Sequence, residues 1–232
     1  MKKLFFWFLL FPSLTNALTI GDITSNQIQQ NIVAVKAKKT CPYRYQTDNK
    51  TCPTRCYLYN AELKGLDLKG IDLNCADLTR ARLENSNLSG ALLNNIIAPN
   101  IYLDGATLDN AQCVNAQLND ARIPTKASAK KANFTNANFT NALLQNIDFT
   151  GANLTNATFN NATLNGAQLN DATLKNTHFY ETKLFNLDIC PMSYAMDIGS
   201  CTTKLLTQGV NKSNLGQASI ENIQVDLPIT TN

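Results

Sequence analysis

The sequence predicts an all-β solenoid in which the chain turns a corner every five residues and closes a square coil every twenty. Its 232 residues divide into 25 five-residue units over 61–125 and 132–191, and the third position of a unit is Leu, Phe or Ile in 23 of them. The first position is Ala in 16 units, and the remaining positions are mostly short and polar. A helix needs apolar residues at i, i+3, i+4 and i+7 and a flat strand alternates strictly, so this period fits neither.

A large apolar residue every fifth position, with a small one two residues before it, suits a chain that bends at every unit. Four units make one coil, whose interior is filled by the third position, and successive coils stack at about 4.8 Å, like neighbouring strands. At a spacing of twenty, Phe139, Phe159 and Phe179 fall in one column. Where the third position shrinks to Ala98, the first position grows to Ile96, which conserves the packed volume.

These units, among them AELKG, LDLKG, ADLTR and ANFTN, resemble the A(D/N)LXX motif of the pentapeptide-repeat family. The resemblance covers about 131 of the 232 residues. It implies a right-handed quadrilateral parallel β-helix with short non-repeat caps at both ends. It implies no particular activity, because function belongs to sites on a fold and not to the fold itself.

The ends of the repeats set the expected domain boundaries. We expect a signal peptide at 1–17, an N-terminal Cys-containing cap at 18–60, repeat blocks at 61–125 and 132–191, an insertion loop at 126–131 and a C-terminal cap at 192–232. The insertion either bulges outward as a loop or rotates the second block against the first. The caps are expected to cover the unpaired backbone that a stack of coils exposes at each end.

The first 17 residues have the layout of a secretory signal peptide. Lys2 and Lys3 precede the eight-residue apolar run Leu4–Phe11, and Ala17 marks the cleavage site. The run is too short to span a bilayer, and no later stretch approaches the roughly 20 apolar residues of a membrane helix. We therefore expect an exported protein, periplasmic or secreted, with no transmembrane segment after cleavage.

The seven cysteines fit an oxidising compartment. We expect one disulfide at the C-terminal exit, between Cys190 and Cys201. Four cysteines near the N-terminal end are expected to form two more, with three connectivities open: Cys41, Cys52, Cys56 and Cys75. Cys113 stands at a third position, which predicts a buried core thiol in place of Leu.

The sequence contains no motif for catalysis, for a cofactor or for a metal. The single histidine, His178, stands at a second position and is expected to face solvent. The cysteine spacing lacks a C-x-x-C pair of the kind found in zinc sites. Five second-position acids are expected to bond turn backbone: Asp67, Asp72, Asp77, Asp148 and Asp188.

The predicted function is therefore that of a non-enzymatic structural or interaction scaffold, whose partner is another protein or an envelope polymer and not nucleic acid. Lys126, Lys130 and Lys131 form a possible contact loop, and the N-terminal cap is basic. One alternative is a DNA mimic that inhibits or protects gyrase, a topoisomerase, but residues 61–191 carry 12 acidic and 10 basic residues, too few acids in excess. The other is an enzyme of unrecognised type with a site at a cap.

Overall fold

The computed structural model describes residues 25–37, 41–42 and 44–184. The signal peptide at 1–17, the C-terminal cap at 192–232, Asp188 and the pair Cys190 and Cys201 lie outside the described residues, so these expectations stay predictions.

Parallel backbone pairing joins each coil to the next. A second-position residue pairs with the residue one coil further along, as Glu62 does with Arg82. The backbone N–H of Leu63 donates to the carbonyl of Arg82 at 2.8 Å, and the same bond recurs along the stack. Two short parallel strands, β3 (Arg122–Ile123) and β4 (Leu143–Leu144), form part of this pairing. The predicted all-β quadrilateral β-helix is confirmed.

The coils begin earlier than the expected boundary at Ala61. Leu58 is fully buried, and Tyr57 pairs with Asp77 in the next coil. Asn60 has the corner geometry of the later units, with φ of 55°. The unit Cys56–Asn60 is therefore the first repeat and not part of the cap.

The interior consists of the third-position columns with first-position alanines packed beside them. The rings of Phe139 and Phe159 stack with centroids 4.8 Å apart, and Phe179 follows at 5.3 Å, as predicted. This spacing is the distance between neighbouring strands, so the backbone dictates how the rings stack. Ile96 and Ala98 are both buried, and so is the unpaired thiol of Cys113, as expected. Burial raises the pKa of that thiol.

The fifth residue of a unit takes a left-handed backbone conformation at nearly every corner, with φ between 52° and 70°. Most residues at these corners are Asn or Gly, the two types that adopt this region at the least cost. Five of the asparagines form one column, which we call the asparagine edge: Asn95, Asn115, Asn136, Asn156 and Asn176. Each amide donates to the side-chain oxygen of the preceding member, at 2.9 to 3.3 Å.

The interruption between the two blocks is one residue and not a loop of six. Coils are offset by 20 residues on either side of it and by 21 across it. Ala127 and Ala129 are buried at the first and third positions of a unit, and Ser128 pairs with Thr107 and Asp148. The expected insertion loop at 126–131 is wrong for this reason: 127–131 is a repeat, and only the corner before it holds an extra residue.

A helix and a hairpin cover the first coil. The helix α1 (Ser25–Lys36) buries Ile32 and Val35 in the core, and Asn31 donates its side-chain amide to the carbonyl of Tyr57 at 3.0 Å. Strands β1 (Arg44–Gln46) and β2 (Thr54–Cys56) pair antiparallel. Within the described ranges, no helix is long and apolar enough to cross a membrane.

Two disulfides fasten this cap to the coils. Of the three connectivities left open, the structure has Cys41 bonded to Cys56 and Cys52 bonded to Cys75, with Cα atoms 5.7 and 5.6 Å apart. Cys56 and Cys75 are the first and last residues of the first coil, so the cap is held covalently at both ends of that coil.

Buried polar groups add to the attachment of the cap. The guanidinium of Arg55 donates to the carbonyls of Cys75 and Asn95, at 3.1 and 2.9 Å. The hydroxyl of Tyr45 donates to the buried carboxylate of Asp77 at 3.1 Å. Burial, together with this carboxylate, raises the pKa of Tyr45. Each buried group thus has a partner on the opposite side of the cap–coil junction.

Two roles of the asparagine edge, the left-handed corner and the side-chain hydrogen bonds, are tested separately at Asn156. This residue has φ of 58° and bonds both neighbours in the column. Both substitutions remove the side-chain bonds, but Asn156→Gly also removes the Cβ that the left-handed region disfavours, whereas Asn156→Ala keeps a Cβ there at about 1–2 kcal/mol. We expect the Ala variant to be the less stable of the two by about 1 kcal/mol in urea unfolding. Equal stabilities, or a less stable Gly variant, would contradict the role assigned to the corner.

Candidate interaction wall

One wall of the coil places a tyrosine between two arginines. Its second-position column runs along the stack, and we call it the tyrosine wall: Glu62, Arg82, Tyr102, Arg122, Leu143, Thr163 and Lys183. These side chains point outward because the first and third positions of each unit point into the core. Backbone pairing sets their order and spacing, so the wall is preformed.

Tyr102 lies between two guanidinium groups. The Cζ atom of Arg82 is 5.2 Å from the centre of the tyrosine ring, and that of Arg122 is 5.6 Å from it. Both distances are within the range of cation–π attraction. The ring therefore holds one arginine from the coil below and one from the coil above.

The charge of Arg82 is neutralised within the wall. Its Nη2 and Nε atoms donate to Glu84 Oε1 at 2.8 and 3.0 Å, and Glu62 lies 3.9 Å away. Lys64 completes the cluster, with its ammonium 3.6 to 3.7 Å from both glutamates. The hydrogen bond to Glu84 raises the pKa of Arg82, so this residue stays charged and occupied.

Arg122 has no such neutralising partner. It is exposed and forms no ion pair with any other residue that the structure describes. Leu143 pairs with it in the next coil, and this apolar side chain is 39% exposed. Arg122 thus stands between an aromatic ring and an exposed aliphatic side chain, with its charge available.

An open groove of about 330 Å³ lies at the foot of Tyr102. Its lining residues are Asn60, Glu62, Arg80, Arg82 and Tyr102. Arg80 donates to the hydroxyl of Tyr59 at 3.1 Å. These five lining residues contain no nucleophile with an adjacent base.

The wall opposite has a different chemistry. Between Leu92 and Thr155 its second and fourth positions carry no charge and consist of amide, hydroxyl and aliphatic side chains. The exposed side chain there is Leu92, at 36%. The two walls share backbone geometry and differ in side chains, which makes each a control for the other.

The three lysines predicted as a contact loop do not lie on one loop. Lys130 stands at a fourth position and pairs with Asp148 at 3.1 Å. Lys131 occupies a left-handed corner with φ of 56°, and Lys126 is exposed at the corner that carries the extra residue. Lys126, Lys130 and Lys131 therefore do not form one loop, because two of the three belong to a regular repeat, and a contact made by these exposed lysines stays a prediction.

The second-position acids bond turn backbone, as expected. Asp67, Asp72, Asp77 and Asp148 each accept a hydrogen bond from the backbone N–H two residues later, at 3.0 to 3.3 Å. His178 is exposed at its second position. These residues are accounted for by the coil and not by a site.

The repeat is also recognised by comparison with known families. The model of pentapeptide repeats matches in eight copies, over residues 54–90, 86–123, 132–171 and 152–188. The chain belongs to the pentapeptide-repeat family. The right-handed β-helix that the resemblance implied is confirmed. The first match begins at residue 54, consistent with a first repeat that starts before Ala61.

Solved structures of other pentapeptide-repeat proteins are similar at low identity. QnrB1, a plasmid-mediated fluoroquinolone resistance protein, is 16% identical, with 71% of this chain and 87% of that chain covered and a TM-score of 0.38. HetL from Nostoc sp. strain PCC 7120, involved in heterocyst differentiation regulation, is 23% identical over 58% and 83%, with a TM-score of 0.19. A protein from the Arabidopsis thaliana thylakoid lumen is 20% identical over 62% and 77%, with a TM-score of 0.26. None of the curated proteins matches the sequence.

The tyrosine wall was missed by reasoning from the sequence, although a signal was present. Arg82, Tyr102 and Arg122 stand at spacings of twenty, the same spacing that identified the phenylalanine column. Reading the outward second position at that spacing, and not only the inward third position, brings the three side chains together.

Asp148 provides a pH test of the repeat that contains Lys130. Burial raises its pKa, but hydrogen bonds from Thr150 and the nearby Lys130 ammonium outweigh burial and lower it overall. Because the folded-state pKa is below the ordinary value of about 3.9, the ionised carboxylate stabilises the fold above that pH. This contribution is lost as the pH falls through the folded-state pKa.

We expect Lys130→Met to raise the pKa of Asp148 and to move the acid loss of stability to higher pH. Titration of the Asp148 carboxyl carbon by NMR measures the first effect, and urea unfolding against pH measures the second. Lys131→Met is the matched control, because Lys131 forms no ion pair with a described residue. An unchanged pKa in the Lys130 variant would refute the assigned pair.

Proposed function

We propose that the protein is a non-enzymatic, exported scaffold that binds a protein partner through the tyrosine wall. The observation that carries this proposal is the stack of Arg82, Tyr102 and Arg122 with Leu143 exposed beside it. Arginine and tyrosine are the residue types enriched where protein interfaces concentrate their binding energy. A rigid coil presents them without an ordering cost at binding.

Export is supported by the leader sequence and by the two disulfides of the N-terminal cap. Stable disulfides are typical of oxidising compartments and rare in the cytosol. The disulfides also fit a scaffold, since they hold the cap over the end of the coils, where unpaired backbone invites association.

The alternative of a DNA mimic lacks support from the charges. Such a mimic needs a continuous acidic surface, whereas residues 61–191 carry 12 acidic and 10 basic residues, and some of the acids are paired with bases, as Glu84 with Arg82 and Asp148 with Lys130. Photo-crosslinking distinguishes an envelope polymer from a protein partner, because the adduct is then a polysaccharide.

Export predicts a processed, oxidised protein. Purified from its native host, the protein is expected to begin at Leu18, and alkylation without reduction is expected to modify Cys113 and to spare Cys41, Cys52, Cys56 and Cys75. Terminal sequencing and peptide mass mapping measure both. Cys113 is the internal control, because it is free and becomes reactive once the protein is denatured. A retained Met1 with free N-terminal thiols would refute export.

The binding role is tested with a photo-crosslinking amino acid placed at Leu143 in the native host. Leu92 is the matched control, since it has the same residue type, the same repeat position and a similar exposure on the opposite wall. We expect a protein adduct from position 143, little from position 92, and loss of the adduct at 143 when Arg122→Gln is added. Equal adducts from both positions, or an adduct that survives Arg122→Gln, would contradict binding through this wall. A polysaccharide adduct in place of a protein adduct would show that the partner is an envelope polymer and not a protein.

A further inference from the structure

We propose that Arg122 is a carboxylate-binding site, which receives an acidic side chain of the protein partner while Leu143 contacts an apolar group next to it. This inference rests on the proposed function for the identity of the partner. The chemistry of the site stands on the surroundings of Arg122 alone.

Two acids in the same part of the coil as Arg122 accept hydrogen bonds from other groups. Asp104, in the neighbouring column one coil below, accepts hydrogen bonds from the backbone N–H and the hydroxyl of Thr125, at 3.2 and 3.3 Å. Asp120, two residues before Arg122, accepts from the side-chain amide of Asn119 at 3.0 Å. Neither carboxylate forms an ion pair with the Arg122 guanidinium, whereas that of Arg82 is paired with Glu62 and Glu84.

The extra residue at the corner after Arg122 contributes to this state. Thr125 belongs to that corner and is the residue that engages Asp104. A regular corner has a left-handed fifth residue, whereas Thr125 is not among the positive-φ residues. The one irregular corner of the described coils thus supplies the donors that Asp104 engages on the wall of Arg122.

The side chain of Arg122 is also held in position before a ligand binds. The Tyr102 ring holds its guanidinium at 5.6 Å, and Arg82 supports the ring from the other side. A guanidinium is planar and weakly hydrated, so it stacks on a ring and still offers its N–H fork to a carboxylate. Restricting the side chain beforehand lowers the entropy lost when the carboxylate binds.

The surrounding charge favours a single carboxylate over a phosphate polymer. Nucleic-acid binding needs several cations that neutralise successive phosphates. Here Glu62, Glu84, Asp104 and Asp120 lie on the wall or at its edge, so a polyanion that extends along the wall from Arg122 meets repulsion. Leu143 lies directly beside Arg122. An apolar side chain of a peptide can pack against it, whereas a phosphate group cannot.

The probes are two dipeptides that differ only in charge, N-acetyl-Leu-Glu-amide and N-acetyl-Leu-Gln-amide, together with inorganic phosphate. Each is titrated into the mature full-length protein, with the Arg122 side-chain Nε–H and the Leu143 methyl groups followed by NMR. We expect the Glu dipeptide to bind about tenfold more tightly than the Gln dipeptide, which corresponds to one charge-assisted contact.

Arg122→Gln is expected to abolish this discrimination, and Tyr102→Leu to reduce it. Lys183→Gln is the matched control, because it removes a positive charge from the same column at its far end. Thermal melting of each variant establishes that the fold is retained. Equal binding of the two dipeptides, phosphate binding as tight as the Glu dipeptide, or the same loss from Lys183→Gln would overturn the assignment.

The two proposals fail separately. If the crosslink at Leu143 depends on Arg122 but the dipeptides bind equally, the wall binds a partner and the carboxylate assignment is wrong. If the dipeptides discriminate but position 143 yields no protein adduct, the carboxylate site remains and the proposed scaffold function is wrong.

Discussion

The structure depends on one backbone requirement, a left-handed fifth residue at the corner of nearly every five-residue unit. With φ near +60°, the chain changes direction, and the next unit starts with its first and third residues again pointing inward. An L-residue with a Cβ resists this region by about 1–2 kcal/mol, whereas Gly adopts it freely and Asn compensates with local hydrogen bonds. The abundance of Asn therefore follows from the geometry of the corners and not from the chemistry of a ligand.

The same requirement determines how the interior and the surface divide. Within each unit the side chains alternate, so a fixed pair points into the core and a fixed pair points outward. The narrow interior accepts Ala beside Leu or Phe, and a departure at one position is compensated nearby, as Ile96 compensates Ala98. The outward positions are free of packing, so charge and aromatic groups can collect on one wall at no cost to the core.

Most of the fold was predictable because the period of five is imposed by the backbone itself. The phenylalanine column, the buried Cys113 and the turn bonds of the second-position acids all agreed with the sequence. The interruption was misjudged because Ala129 replaces the usual Leu and Lys131 replaces Asn or Gly, so a regular repeat was hidden. The helix α1 was not predicted, although Ile28, Ile32 and Val35 have helical spacing.

The candidate site was less accessible to sequence reasoning. The disulfide partners are brought together by the hairpin, and spacing alone does not choose between three connectivities. The unpaired charge of Arg122 and the bonds from Thr125 to Asp104 depend on side-chain contacts at the irregular corner, which the spacing of residues does not specify. The column of Arg82, Tyr102 and Arg122 was in principle readable, because it uses the same spacing as the core.

The uniform pairing of the coils has one further consequence. Groups in the same column one coil apart are separated by the strand spacing, and groups two coils apart by roughly 10 Å, whatever the residues are. Backbone hydrogen bonds between coils therefore fix the distances between the side chains of the tyrosine wall. A partner that contacts two of these side chains is selected by the distance between its own contact groups. Substitution of one side chain removes that contact and leaves the spacing of the others unchanged.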